Sequence, residues 1–171
     1  MIPRVQVRDE ERRDWAAVHA LTAAAFGRPD EARLVEALRR EASPLVSLVA
    51  EHDETIVGHV LLTPVSVSGR NERMMGLAPL AVAPAEQRRG VGSALVRAGL
   101  ARCRDEGVDA VVVLGHGAYY PRFGFAPAAR VGLSCEYDGA GDSFMAVELR
   151  PGALRGTGGV VRYHPAFGRE L

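Results

Sequence analysis

The residues best suited to chemistry run from Gln87 to Gly92 and read Gln-Arg-Arg-Gly-Val-Gly. An apolar run that ends at Pro84 precedes them, and apolar residues at helical spacing follow them. Glycines let the backbone turn tightly and let a ligand approach bare N–H groups, and a helix start carries about half a positive charge. Arg88 and Arg89 add fixed charges that suit phosphate. The segment therefore predicts a diphosphate-binding loop between a strand and a helix.

Two common nucleotide-binding patterns do not fit this loop. The dinucleotide pattern G-x-G-x-x-G requires a third glycine where Leu95 stands. The P-loop requires a lysine, and all 21 basic residues of this chain are arginines. A solvated, arginine-rich helix start is the non-functional alternative for the loop residues.

A second group of candidate residues follows the run Ala110–Leu114, whose continuous β-branched character is typical of a strand buried on both faces. A glycine-containing turn with His116 leads from this run into Tyr119 and Tyr120, and the segment ends at Phe125. Imidazole and phenol groups are residue types that transfer protons in enzymes. Packing of the following short helix is the alternative role of the two tyrosines.

Together, the spacing Gln-x-x-Gly-x-Gly and the later Tyr-x-x-x-Gly-Phe resemble the acetyl-CoA loop and the tyrosine segment of the GNAT N-acetyltransferase superfamily. The resemblance extends over nearly the whole chain. It implies an α/β (α+β) GNAT fold in one domain, residues 1–171, with a mixed, mostly antiparallel, twisted sheet of six to seven strands and helices on both faces. The strands on either side of the loop and its helix would run parallel but splay apart, which would admit the pantetheine arm of the cofactor.

The resemblance also implies the cosubstrate and the reaction. Acetyl-CoA would donate its acetyl group by direct transfer to a primary amine of a small molecule or a peptide N-terminus. Tyr120 matches the family's tyrosine and is the predicted acid, because a phenol pKa of about 10 keeps it protonated at pH 7. Tyr119 is predicted only to pack, and a backbone N–H near Val82 is the predicted donor to the acetyl oxygen. The residues implied to contact acetyl-CoA are Leu80, Val82, Gln87, Arg88, Arg89, Gly90, Val91, Gly92 and Ser93.

One position departs from the family pattern, since Val113 stands where many relatives carry asparagine. His116 or backbone groups would have to replace the contacts that this asparagine makes to CoA.

The general base is less well defined by the sequence. The strand before the loop, Met74–Val82, carries no Asp or Glu. His116 has a suitable ordinary pKa near 6.5 and is the side-chain candidate. Glu51, His52 and His59 lie on or beside a predicted hairpin, and a chain of water molecules would serve equally well.

Composition is that of a compact enzyme domain, with 47% hydrophobic and 25% charged residues. The net charge of zero gives no reason to expect nucleic acid or an anionic membrane as partner. No apolar stretch is long enough for a signal peptide or a membrane span, so we expect a cytoplasmic protein, either monomeric or homodimeric. Cys103 and Cys135 predict neither a disulfide nor a metal site.

Two other functions remain open at this point. The absence of an obvious carboxylate base also suits a catalytically weak acyl-CoA-binding sensor or regulatory module. A nucleotide-binding or interaction domain is disfavoured by the missing lysine and the missing third glycine.

Periodicity and turn residues predict the remaining elements. The segment from Pro127 to Ser143 is the least defined by its sequence. The predicted elements are strand Val5–Arg8, helix Arg12–Phe26, helix Asp30–Arg40 capped by Asp30, hairpin strands Ser47–Glu51 and Thr55–Val67, late strand Phe144–Leu149, turn Gly152–Gly159 and edge strand Val160–Tyr163.

Overall fold

The computed structural model describes residues 4–137, 143–156 and 158–171 of the chain. The α-helices are α1 Trp15–Phe26, α2 Asp30–Glu41, α3 Val91–Asp105 and α4 Ala166–Glu170. The strands are β1 Gln6–Asp9, β2 Val46–His52, β3 Thr55–Val67, β4 Met74–Val82, β5 Ala110–Leu114, β6 Ala126–Pro127, β7 Leu133–Cys135, β8 Phe144–Glu148 and β9 Gly159–Arg162.

The strands form a mixed, mostly antiparallel sheet in the order β1-β2-β3-β4-β5-β8-β6. The far end of the long strand β3 continues past β4 and pairs with β9, which in turn pairs with β7. Only β4–β5 and β7–β9 are parallel within the described part of the chain. This architecture confirms the predicted fold class.

The described residues contain nine strands, whereas the sequence predicts six to seven. The two additional strands are β6 and β7, which have two and three residues. Such short strands cannot display the alternation of polar and apolar residues that reveals a strand in sequence. The predicted turn before β9 also occurs, apart from Thr157, which lies outside the described residues.

Strands β4 and β5 separate along their length, as predicted. Their parallel pairing ends at Gly76 and Val112. Strand β4 nevertheless continues beside β3 as far as Val82, with a register shift at Ala78 and Pro79. Pro79 therefore lies inside β4 rather than at its end, and beyond Gly76 the β5 side of β4 faces a gap.

Helices cover both faces of the sheet, and each face has its own apolar core. Leu34 and Leu38 of α2 are buried with Phe167 of α4 on one face. Leu95 and Cys103 of α3 are buried on the other face. Helix α2 therefore turns its leucines toward the sheet.

Helix α1 buries only some of its large apolar side chains. Val18 and Thr22 are buried, but Trp15 is 39% exposed and Phe26 is 41% exposed. Trp15 lies under the guanidinium of Arg39, 4.6 Å from its ring centre, and so packs against a cation rather than into the core.

The predicted cap of α2 is wrong. Pro29 occupies the capping position, and Asp30 is the first helical residue. Its carboxylate accepts a hydrogen bond from Arg33 at 3.0 Å. A carboxylate in the first turn still suits the positive end of the helix. None of the helices in the described residues is long and apolar enough to cross a membrane.

Candidate active site

A cavity of about 1300 Å³ opens where β4 and β5 separate. One end lies at the N-terminus of α3, and the other end is walled by α1, α2 and the C-terminal segment. Predicted site residues that line the cavity are Leu80, Val82, Gln87, Arg88, Gly90, Gly92, Ser93, His116 and Tyr120. Arg89 and Val91 are absent from its lining.

The loop before α3 is held in a conformation that needs glycine at one position. Gly90 caps α3 with φ +86°, and nothing lies within 4 Å of where its Cβ would be. Glycine is therefore needed at position 90 because it adopts a positive φ readily, and not because a side chain would clash there. The side chain of Gln87 donates to the carbonyl of Val82 at 3.1 Å and ties the loop to β4.

The first turn of α3 presents unused backbone donors to the cavity. The N–H of Ala94 closes the first turn on the carbonyl of Gly90 at 3.0 Å. The N–H groups before it, at Val91, Gly92 and Ser93, have no acceptor within the helix. This end of the cavity is therefore suited to an anion.

Gly92 keeps space free beside these donors. A Cβ at Gly92 would lie 3.1 Å from the hydroxyl oxygen of Tyr119, which is tighter than ordinary contact. The same hydroxyl forms a hydrogen bond of 3.1 Å with Oγ of Ser93. Any side chain at position 92 would crowd this end of the cavity.

Only one of the two predicted arginines faces the cavity. Arg88 lines it, whereas Arg89 extends toward Glu86, with 3.6 Å between the charged groups. A second basic residue, Arg122, lines the cavity and lies over the ring of Tyr119 at 4.5 Å. Sequence reasoning missed Arg122, although its position within the segment Tyr119–Phe125 was a signal.

The open edge of β4 supplies two further donors. The N–H of Ala83 donates to the carbonyl of Val57 in β3 at 2.9 Å. Because backbone groups alternate sides along a strand, the N–H groups of Leu80 and Val82 point away from β3. They face the gap that β5 leaves, which is where the sequence predicts a donor to the acetyl oxygen.

Tyr120 lies in an aromatic environment at the wall of the cavity. It is 7% exposed and makes edge contacts with the rings of Tyr119 and Phe125. A Cβ at Gly115 would lie 2.3 Å from its ring, so the glycine after β5 is needed for this packing. Burial, with a smaller effect of Tyr119, raises the pKa of Tyr120 to about 12. Its hydroxyl is therefore protonated at neutral pH.

Of the side-chain candidates for the general base, one lines the cavity and three do not. His116 is exposed and lines the cavity. His59 is fully buried in β3, where Ser47 bonds its ring at 2.8 Å and burial lowers its pKa to about 3. Glu51 pairs with Arg8 at 3.2 Å, away from the cavity lining. His52, 3.5 Å from Asp53 in the hairpin turn, is likewise absent from the lining.

A carboxylate that sequence reasoning missed lines the far end of the cavity. Among the described residues, Glu31 is the one acidic side chain in the lining, and it is 6% exposed. Arg28 donates to its two oxygens at 2.9 and 2.5 Å. No local pattern in the sequence marks this role, because an acid in the first turn of a helix is common for electrostatic reasons alone.

The C-terminal segment contributes an aromatic wall at the same end. The ring of Tyr163 lies 5.1 Å from that of Phe167 and 6.0 Å from that of Tyr137, and all three line the cavity. The hydroxyl of Tyr163 is buried and has no hydrogen-bond partner among the described residues. Gly76 of β4 makes room for this ring, since a Cβ there would lie 2.6 Å from it.

The chain matches one family model and several curated proteins. The model, described as an acetyltransferase (GNAT) domain, matches residues 6–128. The uncharacterized N-acetyltransferase YhbS of Escherichia coli strain K12 is 38% identical over 157 residues, which cover 91% of this chain and 94% of that protein. The uncharacterized N-acetyltransferase YjhQ of the same strain is 41% identical over 123 residues, 70% of this chain and 68% of that protein.

Two solved structures resemble the chain over nearly its full length. The crystal structure of E. coli YhbS in complex with CoA has a TM-score of 0.92 and 37% identity, covering 98% of this chain and 93% of that one. The structure of a GNAT family acetyltransferase from Brucella melitensis in complex with acetyl-CoA has a TM-score of 0.79 and 34% identity. It covers 96% of this chain and 98% of that one.

Proposed function

The chain belongs to the GNAT acetyltransferase family, as its two motifs predict, and we propose that it transfers the acetyl group of acetyl-CoA to a primary amine. The acceptor is a small molecule or a peptide N-terminus, and transfer is direct. The observation that carries this proposal is the continuous cavity that joins the N-terminus of α3 to Tyr120 along the open edge of β4.

The residues of the cavity fit acetyl-CoA. The first-turn N–H groups of α3 and the guanidinium of Arg88 hold the diphosphate, and Gly92 leaves it room. The outward N–H groups of Leu80 and Val82 bind polar groups of the pantetheine arm, much as an added strand would. The CoA and acetyl-CoA complexes of the two similar structures support this assignment.

The reaction requires two proton transfers, and it requires stabilisation of a negative charge that develops on the thioester oxygen. The amine nitrogen forms a bond to the thioester carbonyl carbon, and the carbon–sulfur bond breaks. The N–H of Val82 stabilises the negative charge that develops on the carbonyl oxygen. Tyr120 donates its proton to the departing sulfur, and the products are the N-acetylated amine and CoA.

The proton that leaves the amine goes to a base at the solvent side of the cavity. We assign this role to His116, because it lines the cavity and is exposed to water. A water molecule between the amine and His116 can relay the proton from one group to the other.

The experiment that tests the function follows both products in parallel. Incubation of the chain with acetyl-CoA and a panel of primary amines should release thiol and N-acetylated amine in equal amounts. Without amine, thiol release should fall to background. Binding of CoA without amine-dependent thiol release would contradict the enzyme and favour the sensor function.

A further inference from the structure

Resting on the proposed function, we propose that the acceptor is a monoamine carried on an apolar body, with no negative charge of its own. The acceptor occupies the end of the cavity beyond Tyr120, whose lining plays no part in the proposed binding of acetyl-CoA. This end is built by the last turn of α1, the start of α2 and the C-terminal aromatic wall.

Exposed apolar side chains at the cavity indicate an apolar acceptor body. Within the described residues, five large hydrophobic side chains are exposed, and three of them, Phe26, Leu114 and Leu171, line this cavity. Exposed apolar groups gathered at one cleft mark a surface that a ligand covers. The rings of Tyr163 and Phe167 extend the same apolar surface inward.

The carboxylate of Glu31 provides a site for the amine of the acceptor. A carboxylate has about four lone-pair sites, and Arg28 uses two of those on Glu31. The remaining sites can accept a hydrogen bond from an amine. The basic side chains of the lining, Arg88 and Arg122, belong to the loop before α3 and to the segment after Tyr120.

These charges discriminate among amines. A second anion, such as the carboxylate of an amino acid, would be buried at this end without a cation to pair with, because the guanidinium of Arg28 already binds both oxygens of Glu31. A polyamine would bring two or three cations to a cavity end with one acidic side chain among the described residues. One cation on a neutral, apolar body matches both the carboxylate of Glu31 and the aromatic surface.

The first test compares four acceptors at equal concentrations of neutral amine. 2-Phenylethylamine should give a kcat/KM at least about tenfold above those of ethanolamine, phenylalanine and spermidine, because burial of a ring is worth at least that factor. If ethanolamine, phenylalanine or spermidine matches or exceeds 2-phenylethylamine, the inference is wrong while the enzyme itself stands.

Matched variants place the effect in the cavity. Phe26→Ala should raise KM for 2-phenylethylamine at least about fivefold without changing KM for acetyl-CoA. Trp15→Ala is the control, because Trp15 lies on the same helix with similar exposure but outside the cavity lining. Equal effects of the two substitutions would contradict the apolar contact.

A second pair tests the carboxylate. Glu31→Gln should raise KM for the amine about tenfold, whereas Glu36→Gln, on the same helix but outside the lining, should not. If Arg28→Gln raises KM for the amine as much as Glu31→Gln does, Glu31 only supports the local structure, and the claim that its carboxylate binds the amine is wrong.

A binding measurement separates failure of this inference from failure of the proposed function. Calorimetric titration of 2-phenylethylamine into the CoA-loaded chain should detect binding, and Phe26→Ala should weaken the affinity. Such binding without any thiol release would leave the acceptor class intact and refute the acetyltransferase. Absence of binding together with turnover of polar amines would refute the acceptor class alone.

Discussion

At the scale of single residues, Tyr119 and Tyr120 are neighbours in sequence with different surroundings. Tyr120 is buried among aromatic rings at the wall of the cavity. Tyr119 directs its hydroxyl to Ser93 at the start of α3, next to Gly92. In the proposed function, the hydroxyl of Tyr120 protonates the leaving group, whereas that of Tyr119 supports the loop proposed to hold the diphosphate.

This difference predicts opposite kinetic effects for two identical substitutions. Tyr120→Phe should lower kcat by about 10²-fold or more and leave KM for acetyl-CoA nearly unchanged, because its proton matters in the transition state. Tyr119→Phe should raise KM for acetyl-CoA a few-fold and leave kcat nearly unchanged. Steady-state kinetics decide, and equal losses of kcat would mean that Tyr120 only packs.

The pH dependence of turnover also follows from single residues. The raised pKa of Tyr120, about 12, keeps the acid protonated, so the rate should not fall from its ionisation below about pH 11. With His116 as base, kcat/KM should rise at the same pH for every acceptor, and His116→Ala should remove that rise. A rise that follows only the acceptor's own pKa, near 10.4 for an alkylamine, would exclude His116.

At the scale of elements, the separation of β4 from β5 depends on a firm attachment where the two strands still pair. Asp109 makes that attachment just before β5. Its carboxylate accepts from the backbone of Arg73 at 2.8 Å, before β4, and from Arg150 at 2.9 Å, after β8. Three strands are thereby held at the closed end, and the opposite end is free to open.

Replacement of Asp109 should loosen this closed end in a pH-dependent way. The hydrogen bond from Arg150, and then that from Arg73, lower the pKa of the Asp109 carboxyl from its usual value. Its stabilisation is therefore present above the unfolded pKa near 3.9 and is lost as pH falls through the folded pKa. Asp109→Asn should cost about 1–2 kcal/mol of unfolding free energy at pH 7 and much less at pH 3, measured by urea unfolding.

The control for this prediction is Asp105→Asn, which changes an exposed acid at the end of α3. It should change stability by less than about 0.5 kcal/mol at either pH. If Asp109→Asn lowers the unfolding free energy equally at both pH values, the ion pair contributes nothing and only the shape of the side chain matters.

The elements also show how far the sequence can be interpreted. The predicted bounds of β3 and β5 are those that occur, because both strands are long or continuously apolar and end at clear turn residues. The loop before α3 is predicted correctly because its glycines and its neighbouring elements lie together in sequence. Strands β6 and β7 and helix α4 are missed, since two to five residues carry too little periodicity.

The far end of the cavity is missed for a different reason. Glu31 and Tyr163 are separated by most of the chain, and only the paired sheet brings them to one cavity. The sequence around Glu31 is that of an ordinary helix start, and the sequence around Tyr163 is that of an ordinary edge strand. Long-range placement of this kind leaves no pattern in a single sequence.

At the scale of the whole molecule, the sheet has two apolar cores, one under α1, α2 and α4 and the other under α3. The cavity lies where the sheet opens, and its lining comes from elements on both sides. A ligand that fills it therefore contacts both halves of the fold and binds only when both are formed. Binding should stabilise the molecule as a unit rather than one helix.

CoA should accordingly raise the unfolding temperature in a single transition. At a concentration of about 100 times Kd, ligand linkage adds about 2.7 kcal/mol, which for a chain of this size shifts Tm by roughly 5–10 °C. Gly92→Asp should abolish the shift, because its side chain crowds the loop and its charge repels the diphosphate. The fold should survive, since an acid in the first turn of α3 suits the helix dipole.

The control for this experiment is Ala85→Asp, which adds the same charge at an exposed position outside the cavity lining. It should retain the full shift with CoA, because a carboxylate added there would meet neither the donors of α3 nor the gap beside β4. Loss of the shift in both variants would mean that net charge, rather than the space at Gly92, controls binding. A full shift in Gly92→Asp would remove the start of α3 from the diphosphate site, and another part of the cavity would have to hold CoA.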